Sequence, residues 1–206
     1  IGPWAGRAID LHGGRPVLMG TSLLFALGLA ALGASQGIWS LFAAWMLIGL
    51  AMGSGLYEAA FSALVRLYGH GSRSAITGIT LIAGFASTVG WPLSTLLEAQ
   101  FGWRGACFAW AGLHLVLGLP LNASLPRVAV NAPHDPEKSL DIGAVPLSAT
   151  RARTTTALLA FVFATTWFIS TAMAAHLPSL LQASGASLAV AVGVGALIGP
   201  AQVAGR

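Results

Sequence analysis

The sequence predicts an all-α polytopic membrane protein. Three observations carry that prediction. Hydrophobic residues make up 56% of the chain and charged residues only 8%. Apolar runs long enough to cross a bilayer alternate with short polar connectors. Nearly every Lys and Arg falls on one side when the connectors are assigned to alternate sides. A soluble domain carries about 25% charged residues, so this chain lacks the charge to solvate a globular surface. The formal charge of +4 does not mark a nucleic-acid binder, because the basic residues are scattered between apolar runs rather than gathered on one face.

A spanning helix needs about 20 mostly apolar residues. Residues 16–57 contain no Asp, Glu, Lys or Arg, and the polar stretch Ser35-Gln36-Gly37 divides them into two spans. Residues 74–97 form the next charge-free run. In residues 105–126, His114 is the one titratable group besides the thiol of Cys107. Residues 154–205 carry only His176, and they break near Gln182–Gly185. The expected spans are 17–34, 41–65, 75–97, 105–121, 157–181 and 187–205. Outer-membrane strands alternate apolar and polar residues, and these runs do not. Hydrocarbon also requires every backbone group to be paired internally, which leaves helices.

Residues 122–156 differ in kind. They hold Pro126, Pro133, Pro136 and Pro146 with Arg127, Lys138, Arg151 and Arg153 beside Asp135, Glu137 and Asp141, and they read as a solvated connector. One side of the membrane receives Arg7, Arg15, Arg66, Arg73, Arg127, Lys138, Arg151, Arg153 and Arg206; the other receives only Arg104. The positive-inside rule makes the first side cytoplasmic. Trp4, Trp39 and Trp103 lie near span ends, where indole prefers the interface. Cys107 is the single cysteine, so no internal disulfide forms. No signal peptide is visible. Both ends read as helix ends without tails, so the expectation is that the chain is a piece of a longer protein.

Residues 6–16 read Gly-Arg-Ala-Ile-Asp-Leu-His-Gly-Gly-Arg-Pro. Gly6, Asp10, Gly13 and Arg15 resemble, at matching spacing, the signature loop of the major facilitator superfamily, roughly Gly-x-x-x-Asp-Arg-x-Gly-Arg-Arg. Leu11 and Gly14 replace two of its basic residues. Phe101-Gly-Trp103-Arg104 is similar to a Gly-Trp-Arg stretch that many members carry after the fifth helix. Ala5-Gly6-Arg7 recurs as Ala204-Gly205-Arg206, as two parallel helical halves would predict.

The resemblance implies a fragment of a two-bundle fold. Residues 1–121 would belong to the N-terminal bundle, from the end of helix 2 to helix 6. Residues 122–156 would be the cytoplasmic central loop, and residues 157–206 the start of the C-terminal bundle. Helices 1 and 9–12 would lie outside the chain. It further implies a monomeric, multi-pass protein, in the plasma (inner) membrane if the source is bacterial.

Glu58 is the one carboxylate well inside a span, roughly 10 Å from its cytoplasmic end at 1.5 Å per residue. An ionisable group at that depth is a functional hypothesis by default. Ser54, Glu58 and Ser62 share one helix face by four-residue spacing, with Tyr57 adjacent. The resemblance implies that this helix and the one over 157–181 line a central cavity, the latter presenting Thr166, Trp167 and Ser170. Three readings of Glu58 stand: a carrier of a coupling proton, a partner for a cationic solute group, or a buried acid paired with Arg or Tyr that holds helices together. Trp45 stands where many members carry an Arg, which puts family-style proton coupling through that Arg in doubt.

The function expected is secondary active transport of a small organic solute by alternating access. No phosphate-binding Gly-rich loop ending in Lys-Ser or Lys-Thr is present, and no cofactor is expected. A transporter-like membrane sensor is the alternative. A membrane-embedded enzyme ranks lower, because Glu58 has no visible catalytic partner within the spans. A channel would show a filter or a charged ring.

Overall fold

The computed structural model describes residues 2–55, 57–126 and 149–205, apart from the side chains of residues 2–5, 10, 57–59, 66, 67, 70, 149, 150 and 152. Every regular element in that set is helical. In order they are α1 (Gly2–His12), α2 (Gly14–Ala34), α3 (Ile38–Gly55), α4 (Tyr57–Tyr68), a 3₁₀ turn (Gly69–Gly71), α5 (Ser72–Gly84), α6 (Ala86–Leu113), a π-helical turn (His114–Gly118), α7 (Leu119–Ala123), α8 (Ala149–Ala183) and α9 (Leu188–Ala204). Residues 127–148 of the expected connector lie outside the described residues. The chain divides into two compact units, Ile1–Asn131 with Ile198–Arg206, and Ala132–Leu197.

Four helical stretches are long and apolar enough to cross a membrane: Gly14–Ala34, Ile38–Val65, Ser72–Ala123 and Arg153–Ala183. The third has 52 residues, which at 1.5 Å each would reach about 78 Å, far beyond a hydrocarbon core of about 30 Å. It is two spans. Gly102 interrupts α6 with φ 68° and ψ 171°, a region open essentially to glycine alone. The corner falls within the Phe101–Arg104 stretch expected to separate the spans 75–97 and 105–121. The shorter apolar helix Leu188–Ala204 matches the last expected span.

Local chemistry explains the other breaks. Gly13, with φ 83° and ψ 165°, separates α1 from α2. Of the pair Gly13-Gly14, only the first takes a left-handed angle; Gly14 already opens the helix. Between α2 and α3, the Ser40 hydroxyl accepts from the backbone N–H groups of Gln36 and Gly37, each at 3.1 Å. That satisfies donors left over at a helix start.

In the first unit, α2 is the central helix, and small residues let its neighbours approach. A Cβ on Gly28 would lie 2.7 Å from Ile48 Cγ1, and one on Gly55 would overlap Thr21. A Cβ on Gly33 would lie 3.1 Å from the Arg104 carbonyl and 3.2 Å from Cys107 Cβ and Phe108 Cε2. Membrane helices gain nothing hydrophobic by leaving lipid for one another, so close backbone approach and interhelical hydrogen bonds hold them. Asn122 supplies two such bonds. Its Nδ2 donates to the Leu18 carbonyl at 3.2 Å and to Ser22 Oγ at 2.8 Å. The His114 ring stacks on Phe25 with centroids 5.1 Å apart. The end of α9 joins this unit through Gly199, where a Cβ would lie 2.5 Å from the Gly84 carbonyl.

In the second unit, α8 is exposed along most of its length. It ends at Gly185, φ 95°. The N–H of Ala186 donates to Leu181 and that of Gly185 to Gln182, both at 3.0 Å. This paired closure meets the last carbonyls of a helix. Ser187 then caps α9, accepting from the Val190 N–H at 3.3 Å.

Candidate functional site

The carboxylate singled out by the sequence stands in α4. Glu58 and Ser62 are four residues apart on one continuous helix, so their Cα positions share a face. Ser54 belongs to α3, which ends at Gly55, and residue 56 lies outside the described residues. The alignment of Ser54 with Glu58 therefore rests on the sequence spacing. Ser54 turns its hydroxyl back onto its own helix and donates to the Leu50 carbonyl at 2.7 Å. Ser62 is half-buried. The side chains of Tyr57 and Glu58 lie outside the described residues.

The Ile38–Val65 stretch has a mean hydropathy of 1.5 over its most apolar window. Glu58 is its only charged residue. The other polar groups its side chains offer are the hydroxyls of Tyr57 and the serines and the indole N–H groups of Trp39 and Trp45.

Thr166, Trp167 and Ser170 all lie on α8 in the second unit, and all three are exposed; Trp167 is 65% accessible. Thr166 and Ser170 share a face by spacing. Trp167 is adjacent to Thr166 in the chain.

The signature-loop residues separate into distinct roles. Gly6 is half-buried in α1 and a Cβ there would meet nothing within 4 Å. Gly13 is buried at the corner and its N–H donates to the Ile9 carbonyl at 2.9 Å. Arg15 is half-buried in the first turn of α2. Asp10 ends in helical backbone near the close of α1; its side chain lies outside the described residues. Ile9 and Leu18 pack together as a small apolar cluster, with Val17, Ala63 and Leu125 against it. That cluster fixes α1, α2 and α4 around the corner that carries Gly13.

The structure brings forward residues that the sequence reading left unassigned. Ser87, Gly90, Trp91 and Ser94 line a groove on α6. The Trp110 indole N–H donates to Ser94 Oγ at 3.1 Å across the Gly102 corner. Spacing of four and then three residues could have flagged Ser87, Trp91 and Ser94 as one face. The link to Trp110 could not be read from sequence, because it depends on how sharply the chain turns at Gly102. At the same corner, the Arg104 guanidinium lies 4.5 Å from the centroid of the Trp103 ring, a cation–π contact.

A family model described as the Major Facilitator Superfamily matches residues 1–206. The chain belongs to the major facilitator superfamily. It is therefore part of an integral, multi-pass membrane transporter, and its family handles small solutes. Comparison with curated proteins and with solved structures finds no match.

Proposed function

We propose that the chain is part of a secondary active transporter that moves a small organic solute by alternating access, with Glu58 on the transport path. The single observation that carries this reading is the position of Glu58 as the only charged residue in the 28-residue apolar stretch Ile38–Val65. A carboxyl group placed in hydrocarbon is held only where it meets water, a cation or a hydrogen-bond partner. A carboxyl group that alternates between protonated and ionised states as access alternates can couple proton flow to solute movement. Membership of the family supports two helical bundles that rock about a midplane site. The division expected here is residues 1–121, 122–156 and 157–206. Thr166, Trp167 and Ser170 would contribute from the second bundle, and a monomer in the plasma membrane would suffice.

The test uses the full-length parent in everted vesicles with a pH-sensitive dye. Carboxylates, amino acids, sugars and cationic drugs are added to wild type and to Glu58→Gln. The expected result is a solute-dependent proton flux in wild type that is lost in Glu58→Gln at equal protein level. A flux that survives the substitution would remove Glu58 from the path and leave it a packing role.

A further inference from the structure

The groove on α6 has a volume of about 350 Å³, and among the described residues it is lined by Ser87, Gly90, Trp91 and Ser94. Their spacing places them on one side of a helix. At about 100° per residue they fill a sector of about 100°, and its centre lies about 180° from that of Val89, Pro92 and Leu96. Those three are exposed and apolar, Val89 being 63% accessible. One side of this helix thus suits hydrocarbon, and the opposite side carries hydroxyls and an indole. Polar side chains within a span turn toward protein or a water-filled cavity.

Three details suit the groove to a ligand. Gly90 leaves its floor open, since a Cβ there would meet nothing within 4 Å. Ser94 Oγ accepts the Trp110 N–H, so its own proton points away from that indole and is available to an incoming acceptor. Ser87 Oγ, at the end of the groove beside Gly199, is buried and makes no hydrogen bond. Among the described residues that line it, none is charged.

We infer that this groove is a solute subsite for the neutral, ring-bearing part of the transported molecule. The ring lies against the Trp91 indole, and a hydroxyl or carbonyl oxygen of the solute accepts from Ser94. Aromatic side chains bind flat rings through offset stacking, and a hydroxyl oriented in advance loses little freedom on binding. The inference rests on the transporter reading for its role. Its own failure is measured separately, by accessibility and protection rather than by flux.

The experiment places single cysteines in the full-length parent, in a background without native cysteines (Cys107→Ser in this chain). Gly90→Cys and Val89→Cys are reconstituted in liposomes and treated with a membrane-impermeant cationic thiosulfonate. The groove reading expects Gly90→Cys to react many-fold faster than Val89→Cys. Equal rates would overturn it, because the groove would then face lipid or be closed. The second arm measures protection of Gly90→Cys by phenol, phenyl glucoside and 4-hydroxybenzamide, with choline chloride as the charged control. Protection by a neutral ring compound and none by choline is expected. Adding Ser94→Ala should raise the half-protecting concentration by about tenfold, the loss of one hydrogen bond, without changing the unprotected rate. Absence of protection by all three would overturn the ligand class. Flux that fails while protection persists would count against the transporter reading and leave the subsite standing.

Discussion

Replacing Gly199 by Ala introduces a single methyl group where α9 meets the α5–α6 region. That Cβ would lie 2.5 Å from the Gly84 carbonyl, 2.6 Å from Thr88 Oγ1 and 2.9 Å from Ser87 Oγ. Carbon and oxygen rest at roughly 3.3 Å or more, near the C···O spacing of the weak contacts common between helices, so the helices must part by close to an ångström. The Gly84 carbonyl is backbone and cannot rotate aside. Overpacking of this kind costs about 1–3 kcal/mol. The substitution also removes a helix-interior glycine, a gain of about 1 kcal/mol, which hides part of the clash.

Gly193→Ala cancels that gain. Gly193 lies on the same helix, is exposed, and has nothing within 4 Å of its added Cβ. Gly199 also precedes Pro200, whose ring disfavours a Cβ on the preceding helical residue, so the difference between the two variants reports the clash together with that local penalty, both of the same sign. At about 2–4 °C for each kcal/mol in a chain of this size, Gly199→Ala should melt about 2–12 °C below Gly193→Ala. The assay is thermal unfolding of the detergent-solubilised full-length protein, followed by loss of the monodisperse chromatographic peak. Equal melting temperatures would refute the claim that α9 rests on Gly84 without an intervening side chain.

Three further outcomes follow from the packing. Gly102→Ala should destabilise the protein by about 1–3 kcal/mol, because a Cβ is strained at φ 68°, ψ 171°; an unchanged melting temperature would mean that the corner is made elsewhere. Asn122→Leu removes both bonds to α2 and leaves Ser22 Oγ without its donor, with an expected loss of about 1–3 kcal/mol; Ser22→Ala in the same background should cost little more, which a double-mutant cycle would check. Trp110→Phe deletes the bond to Ser94 across the Gly102 corner and should lower stability by about 1 kcal/mol, read as a lower melting temperature.

The sequence by itself determined the class of the protein. Composition, span length and charge segregation are properties of the solvent the chain must occupy, and hydrocarbon admits few solutions, so the spans, the corner at Gly102 and the break before α9 were all legible. The turn at Gly13 was legible too, since it acts on residues next to it in the chain. Glu58 stood out because a lone charge in an apolar run needs no partner to be noticed. Only the tertiary structure decided which small residues make contact. Gly28, Gly33, Gly84 and Gly199 read no differently from Gly49, Gly90 or Gly193 in sequence, yet the first set meets neighbouring helices and the second meets open space. In lipid, apolar burial does not distinguish one helix face from another, so hydropathy carries no record of which face packs. The Asn122–Ser22 and Ser94–Trp110 bonds join residues by the rotation and approach of whole helices, a relation that local spacing does not encode.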